Sequence, residues 1–170
     1  MNRNLLLVLF LSILYFPSFA QDRIGGALTY GRSNELIGVA LGGQFFLNEK
    51  WGISPELNIN FPKHNSVYNR TYSTWSLACD LIRYHVKKDK FEFYSLIGIN
   101  LTSYKETSIY ANNQASVSKG AWPGLNFGLG ANFNASGNFV PFLQAKLETN
   151  TRQLVLHGGI RFTLRKMNKL

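Results

Sequence analysis

Between Trp51 and Phe61 the chain reads WGISPELNINF, where Trp51, Ile53, Pro55, Leu57, Ile59 and Phe61 alternate with Gly52, Ser54, Glu56, Asn58 and Asn60. Successive side chains of a β-strand point to opposite faces. One face of this segment is therefore apolar, and the other is small, polar and acidic. The same alternation recurs eight times, broken by turn-rich segments, and no stretch shows a convincing helical period.

The expected strands run over about 23–31, 36–47, 51–61, 71–86, 91–104 and 121–133, with a seventh around Leu143–Glu148 and an eighth around Gln153–Leu164. The connections NEK, KKDK and ASGN are short and turn-like, whereas 62–70 and 105–120 are long. Strands joined in this way make an antiparallel meander. Pro55 cannot donate a ladder hydrogen bond, so a bulge is expected there.

Two closed architectures fit eight such strands. A soluble lipocalin-like carrier barrel hides its apolar face, and a membrane barrel turns it outward. The polar face decides between them. It is built from Gly, Ala, Ser, Thr and Asn with isolated charges, as in Gly38, Ala40, Gly42 and Gln44, or Asn126, Gly128, Gly130 and Asn132. Glycine serves a water-facing strand poorly, but small residues suit a bore that eight strands leave just wide enough for side chains to fill. The apolar face carries no charge through the middle of any strand. Arg83 shares that face but lies near KKDK, where an outward Arg costs only about 0–1 kcal/mol and can reach headgroups. Aromatics gather at strand ends, among them Tyr30, Trp51, Phe61, Trp75, Phe91, Phe133, Phe139 and Phe162, as interfacial girdles require. The expected fold is all-β: an eight-stranded antiparallel up-and-down transmembrane β-barrel.

Composition agrees. The charged fraction is 16%, below the ~25% of ordinary soluble domains. Residues 1–20 join a basic start, an apolar run from Leu5 to Phe16 and small residues Ser18 and Ala20, which reads as a secretory signal peptide, leaving 21–170 as one barrel domain. Cys79 is the single cysteine, so no internal disulfide can form.

The segments GISPELNINF and GGIRFTL, set in an eight-strand plan, resemble the outer-membrane protein β-barrel domain family of Bacteroidetes-type bacteria, whose members are similar to the small OmpA/OmpX-size barrels. The resemblance spans essentially 21–170. It implies a location in the bacterial outer membrane, termini in the periplasm, contact with outer-membrane lipids and lipopolysaccharide, and insertion by the outer-membrane assembly machinery, for which the final strand resembles the signal. The chain continues past that strand as RKMNKL, whereas many such barrels end on an aromatic residue.

The inward face carries Glu56, Asp80, Glu92 and Glu148 with Lys146, Arg152 and Arg161. Buried charges need partners. The expected pairs are Arg161 with Glu56 or Asp80, and Glu148 with Arg152. The network reads as a plug, since eight strands leave no aqueous channel. No metal or cofactor site is expected, and the histidines form no convincing His/Ser/acid group: His64 and Ser66 lack a nearby acid, and His157 shares its strand with no serine. The net charge of +9 is spread over turns and tail without a patch interleaved with aromatics, so nucleic acid is not an expected partner. An extracellular ligand, if one exists, is expected on the segments 62–70 and 105–120, through Lys63, Tyr68, Arg70, Lys105, Tyr110 and Lys119. The expectation is a monomeric, non-enzymatic barrel with a structural, adhesive or surface-binding role; the alternative is a lipid A-modifying barrel enzyme.

Overall fold

The computed structural model describes residues 22–32, 35–66, 69–109, 115–134 and 138–164. The expected signal peptide, the RKMNKL tail, Tyr68 and Tyr110 lie outside them. The chain forms eight strands: β1 Arg23–Gly31, β2 Leu36–Phe46, β3 Trp51–Asn65, β4 Arg70–Lys88, β5 Phe91–Ile109, β6 Ala115–Phe133, β7 Phe139–Glu148 and β8 Gln153–Thr163. Each pairs antiparallel with its neighbours in sequence. β1 also pairs with β8, from Arg23 opposite Thr163 to Gly31 opposite Val155, and this closes the barrel.

The alternation read from the sequence becomes an inside and an outside. Leu28 and Ile99 point away from the axis and are 68% and 64% exposed. Ile37, Leu41, Leu77, Leu129 and Leu143 share that outer surface, whereas Asp80, Glu92, Lys146, His157 and Arg161 are buried inside. A soluble barrel needs the reverse, because exposed apolar area on this scale has no solvent to suit it except hydrocarbon. The chain is a β-barrel of the transmembrane kind. Its strands satisfy their backbone polar groups by pairing around a ring without edges, which is what a strand needs in order to cross lipid.

The girdles form at both ends, with Tyr30, Phe61 and Trp75 exposed at the end away from the termini. Near the termini, Phe91 meets Phe133 at a ring separation of 5.8 Å and Phe139 meets Phe162 at 4.9 Å. Arg83 is outward, as expected, with its guanidinium 5.6 Å from the Trp51 ring.

The expected bulge at Pro55 does not occur. The β3–β4 register runs unbroken through the Pro55–Cys79 pair. On the other side, the β2–β3 register passes from Gly42–Glu56 to Phe45–Ile53 without a pair at Pro55, and the Gly43 carbonyl accepts from Ser54 Oγ at 2.7 Å. The bulges lie elsewhere. One falls on β3 between Asn60 and Lys63, where Pro62 sits, and one on β4 between Tyr84 and Val86, where His85 is the extra residue.

Most of the segment 105–120 is not loop. Lys105–Ile109 and Ala115–Gly120 continue β5 and β6 in register as a hairpin. β7 ends at Glu148, so its pairing with β6 covers only Asn126–Asn132, and β4, β5 and β6 project beyond the rest of the wall. Alternation of apolar and polar residues fades beyond Tyr104 because neither face of the projection meets hydrocarbon. The pattern therefore gives no sign that pairing continues.

Candidate functional site

The lumen is packed with side chains. In its middle, Lys146 Nζ on β7 donates to Glu56 Oε1 on β3 at 2.7 Å and to Asp80 Oδ2 on β4 at 3.1 Å. Asp80 Oδ1 accepts from Asn126 Nδ2 at 2.9 Å, and Asn126 Oδ1 from Asn100 Nδ2 at 2.5 Å. Towards the termini, Arg23 holds Glu92 with two parallel bonds of 2.6 and 3.0 Å, the bidentate geometry that makes such pairs strong. Asn132 Nδ2 also donates to Glu92, at 2.8 Å. Between the Arg23–Glu92 pair and the Lys146 group lies an apolar and aromatic layer of Phe46, Ile82, Tyr84, Tyr94 and Leu96, with Phe46 stacked on Tyr84 at 5.1 Å. Glycine opposite these rings makes the room: a Cβ on Gly130 would lie 2.3 Å from Tyr94 Cζ.

The expected partners are partly redistributed. Glu56, Asp80, Glu92, Lys146, Glu148 and Arg161 are all inside. Arg161, however, reaches neither Glu56 nor Asp80. It donates to Asn132 Oδ1 at 2.7 Å and to Tyr94 Oη at 3.4 Å, and its guanidinium lies over the Phe142 ring at 3.4 Å. Its place is nearer the termini than the acids, and the longer reach falls to Lys146. Glu148 accepts from Thr151 Oγ1 at 3.0 Å and Gln153 Nε2 at 3.3 Å rather than from Arg152, whose backbone is left-handed at φ 49 and whose side chain is exposed at the turn. Arg23 was missed as a lumenal charge, although its parity with Thr29, opposite to that of Leu28, places it inside.

Opposite the termini, a cleft of about 660 Å³ opens over the plug. Asn150 forms its floor: Nδ2 donates to Asn100 Oδ1, Thr102 Oγ1 and the Trp122 carbonyl at 2.7, 3.0 and 3.0 Å. The walls carry Tyr72 on β4, Glu106 on β5 and Trp122 on β6. Tyr104 stacks on Trp122 with centroids 4.2 Å apart and on Tyr72 at 6.3 Å. Two ion pairs border the cleft: Lys63 with Glu35 at 2.5 Å, and Arg70 with Glu106 at 3.0 Å. The Lys63 ammonium holds the Glu35 carboxyl below its ordinary range, and burial followed by the nearby Glu106 charge pushes the Tyr72 phenol up.

Of the expected loop contacts, Lys63 and Arg70 line this cleft. Lys105 and Lys119 do not; they face each other across the β5–β6 ladder and are exposed, with the opposite parity from Tyr104 and Gly120.

No three His, Cys, Asp or Glu side chains converge on a metal geometry among the described residues. His64 Nδ1 meets Thr71 Oγ1 at 3.2 Å, with no acid joined to it. His157 is buried with Nδ1 3.6 Å from Glu56 Oε2. The structure does bring His85 Nε2 to 2.8 Å from Ser95 Oγ, a contact that no spacing in the sequence announced. No carboxylate hydrogen-bonds this histidine among the described residues.

A closed ring of eight strands with an apolar exterior, a charged and plugged bore and a projecting hairpin defines a small transmembrane β-barrel. Solved barrels of this kind are similar in fold. Ail, the attachment invasion locus protein of Yersinia pestis, superposes with a TM-score of 0.56 at 19% identity, over 84% of this chain and 97% of that one. Its backbone structure in a phospholipid bilayer nanodisc gives a TM-score of 0.55 at 13% identity, over 86% and 100%. Neisserial surface protein A gives 0.52 at 14% identity, over 85% and 96%. No protein-family model and no curated protein matches the chain. The narrower likeness to the Bacteroidetes-type family thus rests on GISPELNINF and GGIRFTL alone.

Proposed function

We propose that this chain is an integral protein of a bacterial outer membrane, of the Bacteroidetes-type barrel family, with a non-conducting lumen and a non-enzymatic, surface-binding role served by its cleft. The observation that carries the reading is the contrast between the two ends of the bore. Lys146, Glu56 and Asp80 close its middle, whereas the end away from the termini widens into a cleft that a stiff, paired hairpin overhangs. Binding sites on loops raised above a rigid scaffold are the common arrangement. The Yersinia neighbour's name, attachment invasion locus protein, accords with an adhesive role. With the termini in the periplasm, the cleft faces the cell exterior, and lipopolysaccharide surrounds its rim.

Two measurements test the reading together. Envelope fractionation should place the protein in the detergent-extracted outer membrane, and protein reconstituted in planar bilayers should pass no resolvable single-channel current. Recovery in osmotic-shock fluid, or steady conductance through the wild-type barrel, contradicts it.

A further inference from the structure

We propose that the cleft between Tyr72 and Trp122 binds neutral sugar units, with a pyranose face against the Trp122 ring and its hydroxyls on Glu106 and the tyrosine hydroxyls. This rests on the surface-binding reading above and gives it a ligand chemistry.

The rings are the first argument. Tyr72, Tyr104 and Trp122 come from adjacent strands and lie nearly parallel, at 24° and 22° between successive planes. They stand on the inner side of the projecting hairpin, above the plug. Trp122 is nonetheless 42% exposed. A stack that served only to pack the hairpin would hide its largest ring, because bare indole in water forgoes much of its burial energy. A pyranose presents a flat face of C–H groups edged by hydroxyls, and that shape covers an indole while leaving its polar rim to hydrogen-bond. Gly120 permits the arrangement: a Cβ there would lie 2.5 Å from Tyr104 Cε1, so only glycine lets that ring lie flat beside Trp122.

The polar groups are the second argument. Glu106 Oε1 accepts from Arg70 and Ser108, but Oε2 has no hydrogen-bond partner among the described residues. The same holds for the hydroxyls of Tyr72 and Tyr104 and the indole N–H of Trp122. Beside the rings the site thus offers a carboxylate acceptor, an N–H donor and two groups able to do either. A sugar hydroxyl both gives and accepts, so neighbouring hydroxyls match this mixture.

Charge is the third. The cleft is lined by Lys63, Arg70 and Arg152, and of these Lys63 and Arg70 are each already held by a carboxylate, Glu35 and Glu106. A polyanion would have to displace those carboxylates, and a neutral ligand would not. The floor is preset as well, because Asn150 is held by three acceptors before anything binds, which lowers the ordering cost of binding.

The test uses the full chain in detergent micelles with Trp51→Phe and Trp75→Phe, so that Trp122 is the remaining tryptophan. Neutral trisaccharides of glucose, galactose, mannose and N-acetylglucosamine are titrated by indole emission and by calorimetry, alongside a sulfated oligosaccharide. The expected result is saturable binding of at least one neutral trisaccharide. Affinity should fall about tenfold or more in Glu106→Gln, in Tyr104→Ala and, by calorimetry, in Trp122→Ala, with Lys105→Ala unchanged. Retained barrel circular dichroism shows that the variants fold. Repeating the titration in vesicles of lipid A alone, and of lipopolysaccharide with its core sugars, separates the sources: a neighbouring lipopolysaccharide that supplies the sugar weakens free trisaccharide binding only in the second. Absence of saturable binding by all four neutral sugars, or a preference for the sulfated one that survives Trp122→Ala, overturns the proposal. The membrane location and the plugged lumen would stand on their own tests.

Discussion

Lys146 Nζ lies 2.7 Å from Glu56 Oε1, and the two residues sit on β7 and β3, which face each other across the ring. The bond therefore spans the full bore. Asp80 on β4 completes the group at 3.1 Å. One ammonium on β7 thus ties the neighbouring strands β3 and β4 to the opposite wall.

Removing that ammonium leaves two carboxylates without their cation in a dry interior. Breaking a buried pair by deleting one partner costs about 3–5 kcal/mol. Lys146→Met should lower unfolding stability in lipid vesicles by about that much. Adding Glu56→Gln and Asp80→Asn to it should restore most of the loss. Urea titration followed by tryptophan emission measures both, and a Lys146→Met barrel as stable as wild type would show that the triad contributes nothing.

Arg161 acts elsewhere in the bore, through Asn132, Tyr94 and the Phe142 ring. Arg161→Leu should cost about 1.5–3 kcal/mol, the usual worth of hydrogen bonds to a charged group. Conductance in planar bilayers should stay at the wild-type baseline, because Lys146, Glu56 and Asp80 still block the passage. A variant that conducts would mean that Arg161 itself is the gate.

Two glycines make an internal comparison. A Cβ on Gly130 meets the Tyr94 ring at 2.3 Å, whereas one on Gly158 finds its nearest neighbour, Leu143 Cδ2, at 3.4 Å on the outer face. Gly130→Ala should destabilise by about 1–3 kcal/mol through overpacking. Gly158→Ala should be neutral or stabilising by about 0.5–1 kcal/mol, as the unfolded chain loses freedom. Parallel denaturation curves decide, and equal effects would contradict the packing described for Tyr94.

Outside the membrane, Lys63 hydrogen-bonds Glu35 and lowers its pKa. The sign follows from linkage: the carboxylate is favoured in the folded state, so its contribution is present above the unfolded pKa and lost as pH falls through the folded one. Carboxyl NMR titration should place Glu35 below an ordinary glutamate in low salt. The shift should shrink in Lys63→Met and with added salt, as expected of an exposed pair. An unchanged titration in Lys63→Met would assign the shift to another group.

Much of the wall was legible because hydrocarbon outside and a tight bore inside impose opposite demands on alternate residues. Leu41 against Gly42, Leu77 against Ser76 and Phe127 against Asn126 each announce a side. The cleft was legible only in fragments. Lys63 and Arg70 were found as charges on a long connection. Trp122 shares the parity of the inward Asn126, and Tyr104 that of the inward Asn100, but nothing in their spacing says that they stack above the plug. Arg23 could have been found by parity, yet its partner Glu92 lies 69 residues away.

By itself, then, the sequence determined the number of strands, their direction and which side of each meets lipid, because these depend on period and turn chemistry, which are local. Only the tertiary structure decided which charges meet, how far β4, β5 and β6 project, and that Tyr72, Tyr104 and Trp122 share one cleft. Those outcomes depend on ring closure and register, which bring residues together across the bore by a geometry that no stretch of chain contains.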